Sequence, residues 1–212
     1  MFDQRPVVLL LAGAGLGLAG VVALPGLTGS ELEQLSVIAE SGDRFLAGNL
    51  LTFLAVGLIG FGLLALARRC RSHGHLRTGA VLLVAGLGWV VHMALIAHNA
   101  VSYELAQLGD RALAARLAED IYAGPVFLGI LLPMLLMSVV GTGVGAALLW
   151  RVGHVPAWSV GAIVAGLVSD MVLPDVIAGV SISGVPMFAL LLAGFSGMAR
   201  SARVASTQPL PA

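Results

Sequence analysis

Long apolar stretches separated by short polar segments dominate the hydrophobic pattern of this chain. A helix rises about 1.5 Å per residue, so about 20 apolar residues cross the hydrocarbon core of a bilayer. The pattern predicts six such spans, at about 7–25, 45–67, 79–101, 124–150, 158–173 and 177–199. We therefore expect an all-α fold, a polytopic membrane bundle of six transmembrane helices that forms a single domain over residues 1–200.

Two of the connecting segments have the pattern of short amphipathic helices. In the segment 30–41, Ser30 and Glu33 stand at the spacing of a capping box, and apolar residues recur on one face. In the segment 104–121, apolar residues recur every fourth position among charges of both signs. These patterns predict two helices that lie at the membrane interface on the outer side of the bundle.

The composition agrees with a membrane protein and excludes several other classes. Of the 212 residues, 58% are hydrophobic and 10% are charged, and the mean hydropathy is +1.00, whereas soluble domains carry about 25% charged residues. The net charge is zero, which gives no basic surface for nucleic acid. With Cys70 as the single cysteine, an intramolecular disulfide cannot form.

The distribution of arginine predicts the orientation, since the chain contains no lysine. With the N-terminus inside, eight arginines lie in inner segments and three in outer segments. The positive-inside rule therefore favours both termini in the cytoplasm, with 201–212 as a disordered cytoplasmic tail. The Arg-rich loop 68–77 is expected to contact the anionic headgroups of membrane lipids.

Polar side chains inside the spans are the best indication of a functional site, because they are costly in hydrocarbon. At about 1.5 Å per residue, His92 on the third span and Asp170 on the fifth lie at matching depth, just outward of the midplane. An imidazole beside a carboxylate retains its proton more readily, which makes the two plausible partners. We expect an outward-facing pocket for a small or lipid-like ligand, lined by His92, Asp170, Asn49, Asn99, His98 and Asp175.

Three roles for these side chains stay open on the sequence alone. The first is the ligand pocket, with or without proton coupling. The second is a membrane-embedded enzyme, in which His92 and Asp170 act as acid and base, or His92, His98 and Asp170 bind a metal ion. The two histidines are six residues apart rather than the four that would place them on one ion, so no metal is predicted. The third is a structural or assembly membrane protein, in which the two side chains form a His–Asp bond between helices.

No cofactor is predicted. A bis-histidine haem needs histidines on two facing helices, and only the third span carries histidines at membrane depth, which argues against haem.

The 28 glycines are typical of close helix–helix contact, within the chain or between copies in a homo-oligomer.

Two stretches carry a resemblance to a family of six-span bacterial integral membrane proteins. One is ESGDRFLAGNLLTFLAVGL (40–58), in which an outer helix ends at a charged pair and enters a span. The other is FLGILLPMLLMSVVGTGVGAALLWRVGHVPAWSVGAIVAG (127–166), a span that ends in an aromatic–Arg turn before the next span. The order of parts is similar over most of residues 7–200. The resemblance implies the six-span fold and the bacterial inner membrane, and it brings no activity or site residues.

Overall fold

The structure, a computed structural model, describes residues 4–173, 176–177, 180–181 and 184–207. The helices are α1 (Gln4–Ala23), α2 (Glu31–Glu40), α3 (Gly42–Ser72), α4 (Leu76–Ala106), α5 (Arg111–Tyr122), α6 (Pro125–Arg151), α7 (Ala157–Val172) and α8 (Val185–Thr207). Between α7 and α8, the two-residue strands β1 (Val176–Ile177) and β2 (Val180–Ser181) pair in antiparallel fashion.

Five of the helices are long and apolar enough to cross a membrane: α1, α3, α4, α6 and the 185–202 portion of α8. The described residues are thus almost wholly helical, as predicted, and several helices have the length and apolarity of membrane spans. The remaining apolar helix, α7, has 16 residues, a length of about 24 Å. The predicted span at 158–173 falls on this shorter helix, so six full-length spans are not established.

The six apolar helices contact one another in a closed ring, in the order α1, α3, α4, α6, α7, α8 and back to α1. The ring encloses a hydrophobic core in which Leu10, Ile59, Trp89, Ile163 and Leu191 are buried. Neighbouring helices approach closely where glycines face each other. A Cβ on Gly60 would lie 3.1 Å from the carbonyl oxygen of Gly86, and a Cβ on Gly86 would lie 3.0 Å from that of Gly60.

A second, separate core lies at one end of the ring, which we refer to as the cap end. There α2 and α5 pack over the start of α3 and the end of α4, and bury Leu35, Ile38, Phe45 and Ala118 among others. At about 46 Å each, α3 and α4 are longer than the ~30 Å hydrocarbon core and extend into this cap. The end of the ring where α1 begins, α3 ends and α4 begins is the arginine end.

Polar contacts stabilise the cap and the adjoining end of the ring. The capping box predicted for α2 is present, since Ser30 accepts from the Glu33 amide and the Glu33 carboxylate accepts from the Ser30 amide. Arg44 Nε donates to the carbonyl of Ala23, 2.6 Å away, and so satisfies the C-terminal end of α1. Arg111 of α5 donates to Ser36 Oγ of α2 at 3.1 Å.

Three predicted boundaries differ from the structure. The helix expected at 104–121 is divided: α4 continues to Ala106, and α5 starts at Arg111 because Asp110 caps it by accepting from the Leu113 amide. The span expected at 177–199 begins at Val185, after the β1–β2 pairing. The last helix continues to Thr207, so 201–207 is helical and is not part of a disordered tail.

Candidate functional site

The ring encloses a cavity of about 370 Å³ at its cap end. Five ring helices and the chain around α2 contribute to its wall, and we refer to it as the central cavity. Its lining is mainly apolar with four polar side chains, and comprises Val21, Leu24, Pro25, Leu27, Gln34, Thr52, Val56, His92, Ile96, Asp170, Gly184, Met187 and Phe188. A mainly apolar lining with a few polar groups, at a volume of several hundred Å³, is typical of ligand pockets.

His92 enters this cavity from α4. Its imidazole stacks on the indole of Trp89, one turn earlier, with ring centroids 5.6 Å apart and planes 23° apart. Its Nδ1 atom is buried and makes no hydrogen bond in the part of the chain that the structure describes. An unpaired buried nitrogen usually costs free energy, so this atom is a candidate for interaction with a bound molecule or water.

Trp89 is itself held in place from the neighbouring helix. It is 1% exposed, and its Nε1 donates to Thr142 Oγ1 of α6 at 2.9 Å. Thr142 in turn donates to the carbonyl of Ser138. Because His92 stacks on an indole that is fixed in this way, the position of the imidazole depends on α6 as well as on α4.

The turn of α6 directly before Thr142 is not a regular α-helix. Leu136–Val140 form a π-helical turn, three residues beyond Pro133. Proline has no amide hydrogen to donate, which interrupts the helical hydrogen-bond ladder nearby. Gly88 of α4 lies against the turn, and a Cβ at this position would stand 2.4 Å from the Ser138 amide nitrogen.

Asp170 reaches the same cavity from the last turn of α7. Its side chain is exposed, and Oδ1 lies 3.9 Å from the position that a Cβ would take at Gly184. Gly184 has a φ of +71°, a conformation that L side chains rarely adopt, and it directly precedes α8. The wall beside the carboxylate is therefore kept open by a glycine.

The other polar side chains of the cavity already donate to backbone carbonyls. Thr52 Oγ1 donates to the carbonyl of Gly48 at 2.9 Å, and Gln34 Nε2 donates to that of Gly29 at 3.2 Å. The titratable polar groups of the described lining are thus His92 and Asp170, which come from different helices.

A second cavity of about 290 Å³ lies in the cap beside the first. Asn49 and Asn99 meet at its wall, where Asn99 Nδ2 donates to Asn49 Oδ1 at 2.6 Å and Asn49 Nδ2 donates to the Phe45 carbonyl. Ser102 and Tyr122 are joined by a hydroxyl–hydroxyl bond of 2.5 Å at the same cavity. Leu24, Leu27 and Gln34 line both cavities and so form their common wall.

His98 belongs to neither of these cavities. It lines a mainly apolar cavity of about 400 Å³ between α4, α5 and the start of α6. Its ring centroid lies 5.5 Å from that of Tyr122 and 5.6 Å from that of Phe127. Its Nε2 atom is buried, without a hydrogen-bond partner among the described residues.

The structure therefore divides the predicted site residues into three groups. His92 and Asp170 line the central cavity of about 370 Å³. Asn49 and Asn99 line the cavity of about 290 Å³ in the cap, and His98 lines the cavity of about 400 Å³ between α4, α5 and α6. Asp175 lies outside the described residues. The candidate metal ligands His92, His98 and Asp170 are not gathered, since the described chain holds no group of three or more His, Cys, Asp or Glu side chains that could bind a metal ion.

Sequence reasoning missed several lining residues, namely Gln34, Thr52, Ser102 and Tyr122. Gln34 directly precedes the buried Leu35 of α2, and a polar residue at the edge of an apolar face is the signal that could have identified it. Thr52 and Ser102 are single hydroxyl residues in helices, which usually bond to their own backbone and so give no distinct signal.

Histidines also meet at the arginine end. The rings of His75 and His154 lie edge to face with centroids 5.5 Å apart. Burial, together with the nearby His75 and His73, lowers the pKa of His154 below its ordinary value of 6.5. The contact joins the turn before α4 to the turn before α7.

Comparisons of the chain with protein-family models, curated proteins and solved structures found no match. The resemblance to a six-span bacterial family therefore stays a prediction.

Proposed function

We propose that this chain is a membrane protein that binds or moves a small or lipid-like ligand in its central cavity, with His92 and Asp170 as a proton-sensitive pair. The observation that carries the proposal is that these two side chains, 78 positions apart in the sequence, line one cavity of about 370 Å³. A titratable pair in a mainly apolar wall fits a ligand with an apolar body and one polar group.

The proposal includes six spans and a fixed orientation. Although α7 is short, it starts just after His154, which contacts His75 at the arginine end, and its last turn brings Asp170 to the cavity at the cap end. The arginine end carries most of the basic residues, so the positive-inside rule places it in the cytoplasm. Both termini are then cytoplasmic, the cap faces outward, and a bacterial inner membrane fits the predicted family.

The lining argues against one form of each of the two alternatives. A structural His–Asp bond through Nδ1 is disfavoured, because that atom makes no hydrogen bond within the described chain. A covalent hydrolase with a serine or cysteine nucleophile is disfavoured, because the described lining of the cavity contains neither residue.

Ligand binding is tested by extracting the protein purified in mild detergent and identifying retained small molecules by mass spectrometry. We expect a compound that is enriched with the wild type and lost in His92→Gln and Asp170→Asn. The matched controls are His98→Gln and Asp120→Asn, which alter the same residue types at a different cavity. The proposal fails if no compound distinguishes the wild type from the double variant His92→Gln/Asp170→Asn while all proteins remain folded.

Outward access is tested by thiol labelling in a Cys70→Ser background. A membrane-impermeant methanethiosulfonate reagent should modify Ile96→Cys, which lines the cavity, when it is applied to intact cells. Val91→Cys on the same helix is 39% exposed on the ring's outer surface and should stay unlabelled because lipid covers it. Labelling of Ile96→Cys only in inverted vesicles would reverse the orientation, and no labelling from either side would refute a water-accessible cavity.

The proton-sensitive pair is tested through Trp89, whose fluorescence reports the charge of the imidazole that stacks on it. In a Trp150→Phe/Trp158→Phe background, we expect a pH-dependent step that His92→Gln removes and His98→Gln retains. The midpoint should shift in Asp170→Asn. A midpoint that Asp170→Asn leaves unchanged would remove the carboxylate from the pair.

A further inference from the structure

A cavity of about 430 Å³ lies at the arginine end, between the start of α1 and the end of α3. Arg5, Arg68, Arg69 and Ser72 line it, together with the apolar side chains of Pro6, Leu9 and Ala65. No acidic side chain belongs to this lining within the described residues. Three guanidinium groups from two helices therefore share one concave surface.

The charge distribution of the whole molecule reinforces this local excess. The described carboxylates lie in α2, the first turn of α3, the end of α4, α5 with its cap, and the end of α7, all of them at the cap end. Asp3, two positions before Arg5 in the sequence, lies outside the described residues. The field at the arginine end is therefore set largely by its arginines, which favours an anion.

The polar and apolar lining residues are ordered along the helices. Leu9 lies one turn from Arg5 toward the middle of α1, and Ala65 lies one turn from Arg69 toward the middle of α3. The arginines therefore occupy the rim, and the apolar residues continue from it toward the hydrocarbon. A ligand that matches this order has an anionic head and an apolar body attached to it.

We propose that this cavity binds the phosphate group of an anionic phospholipid, with the glycerol and the first acyl carbons over Leu9 and Ala65. Arginine suits this role because its planar fork donates two parallel hydrogen bonds to phosphate oxygens. Under the orientation proposed above, the lipid belongs to the cytoplasmic leaflet. Binding in detergent does not depend on that orientation, so the two proposals can fail separately.

The test uses the full-length protein in neutral detergent, titrated with dioleoylphosphatidylglycerol and followed by native mass spectrometry. One basic side chain near an anionic lipid is worth ~1 kcal/mol, or about fivefold in affinity. We expect Arg68→Gln to weaken lipid binding about fivefold, and the triple variant Arg5→Gln/Arg68→Gln/Arg69→Gln to weaken it on the order of 100-fold. Arg77→Gln removes the same charge from the same end outside the cavity and should leave binding unchanged.

Further arms of the experiment separate the competing explanations. Equal weakening by Arg77→Gln would mean that diffuse charge, not a site, holds the lipid, and would overturn the proposal. So would equal binding of dioleoylphosphatidylcholine, or displacement of the lipid by inorganic phosphate at matched concentration, which would indicate a soluble anion. Because the triple variant could fold poorly, the single variant Arg68→Gln, with its melting temperature measured in the absence of added lipid, decides the outcome.

Discussion

The contact of Gly88 with the π-helical turn of α6 predicts that Gly88→Ala destabilises the fold. In Gly88→Ala, the added Cβ would stand 2.4 Å from the Ser138 amide nitrogen and 2.7 Å from the Met137 carbonyl carbon. Both are backbone atoms, so a side-chain rotation cannot relieve the clash. Ordinary contact between heavy atoms begins near 3.5 Å, so α4 and α6 would have to separate by about 1 Å.

Two opposing effects determine how much Gly88→Ala changes the free energy of unfolding. Replacing a helical glycine by alanine gains at most about 1 kcal/mol through helix propensity. Overpacking a buried contact costs typically 1–3 kcal/mol, and the cost here lies toward the upper end of that range (about 3 kcal/mol) because two backbones must move. We therefore expect Gly88→Ala to lower the free energy of unfolding by about 2–3 kcal/mol.

The matched control is Gly161→Ala on α7, where a Cβ would meet nothing within 4 Å. This variant should be neutral or slightly more stable. Unfolding in mixed micelles with increasing sodium dodecyl sulfate, followed by far-ultraviolet circular dichroism, measures both variants. If Gly88→Ala unfolds at the same detergent fraction as Gly161→Ala, the close backbone contact does not exist as described and the reasoning is refuted.

Three further predictions concern the cap and the arginine end. The Asn99–Asn49 bond should give a coupling energy of about 0.6 kcal/mol in a double-mutant cycle with alanine, and a coupling of zero would contradict the bond. Because the pKa of His154 is lowered in the folded state, the unfolded state binds more protons, and stability is lost as pH falls below about 6.5. His154→Gln should therefore flatten the fall of the melting temperature between about pH 7 and 5, whereas an unchanged slope would assign the loss to another group. Ser30→Ala removes the capping box and should destabilise α2 by about 1 kcal/mol, seen as faster amide exchange in that helix, while equal exchange rates would show that the cap contributes nothing.

Much of the helical framework could be predicted because hydropathy and caps are local properties. The apolar runs gave α1, α3, α4 and α6 to within a few residues at most boundaries, and the Ser30–Glu33 spacing gave the start of α2. The boundary between α4 and α5 was wrong for a local reason as well. The charged residues beyond 101 suggested that the span ends there, but α4 continues because Leu105 and Ala106 are buried in the cap core, which only the tertiary structure reveals.

For the candidate site, the sequence predicted the depth of each side chain along the helix axes, but not which side chains lie next to one another. A constant rise per residue gives His92 and Asp170 similar heights, and both line one cavity. The sequence contains no information on which helices are neighbours in the ring. His92 and Asn99 are seven residues apart and share a helix face, but that spacing separates them by about 10 Å along the axis, and they line different cavities.

The separation of the two hydrophobic cores has a consequence for how the molecule opens. The buried members of the cap core and of the ring core are different residues, so the cap can lose its packing without loss of the ring. Small cores give low local unfolding free energies, and such regions open as cooperative units. The cap is then expected to undergo sub-global unfolding while α1, α3 and α4 stay folded, with amide exchange in α2 and α5 faster than in the ring. Gln34 moves with α2, so each such event removes part of the wall between the two cavities and exposes the interior of the protein for as long as it lasts.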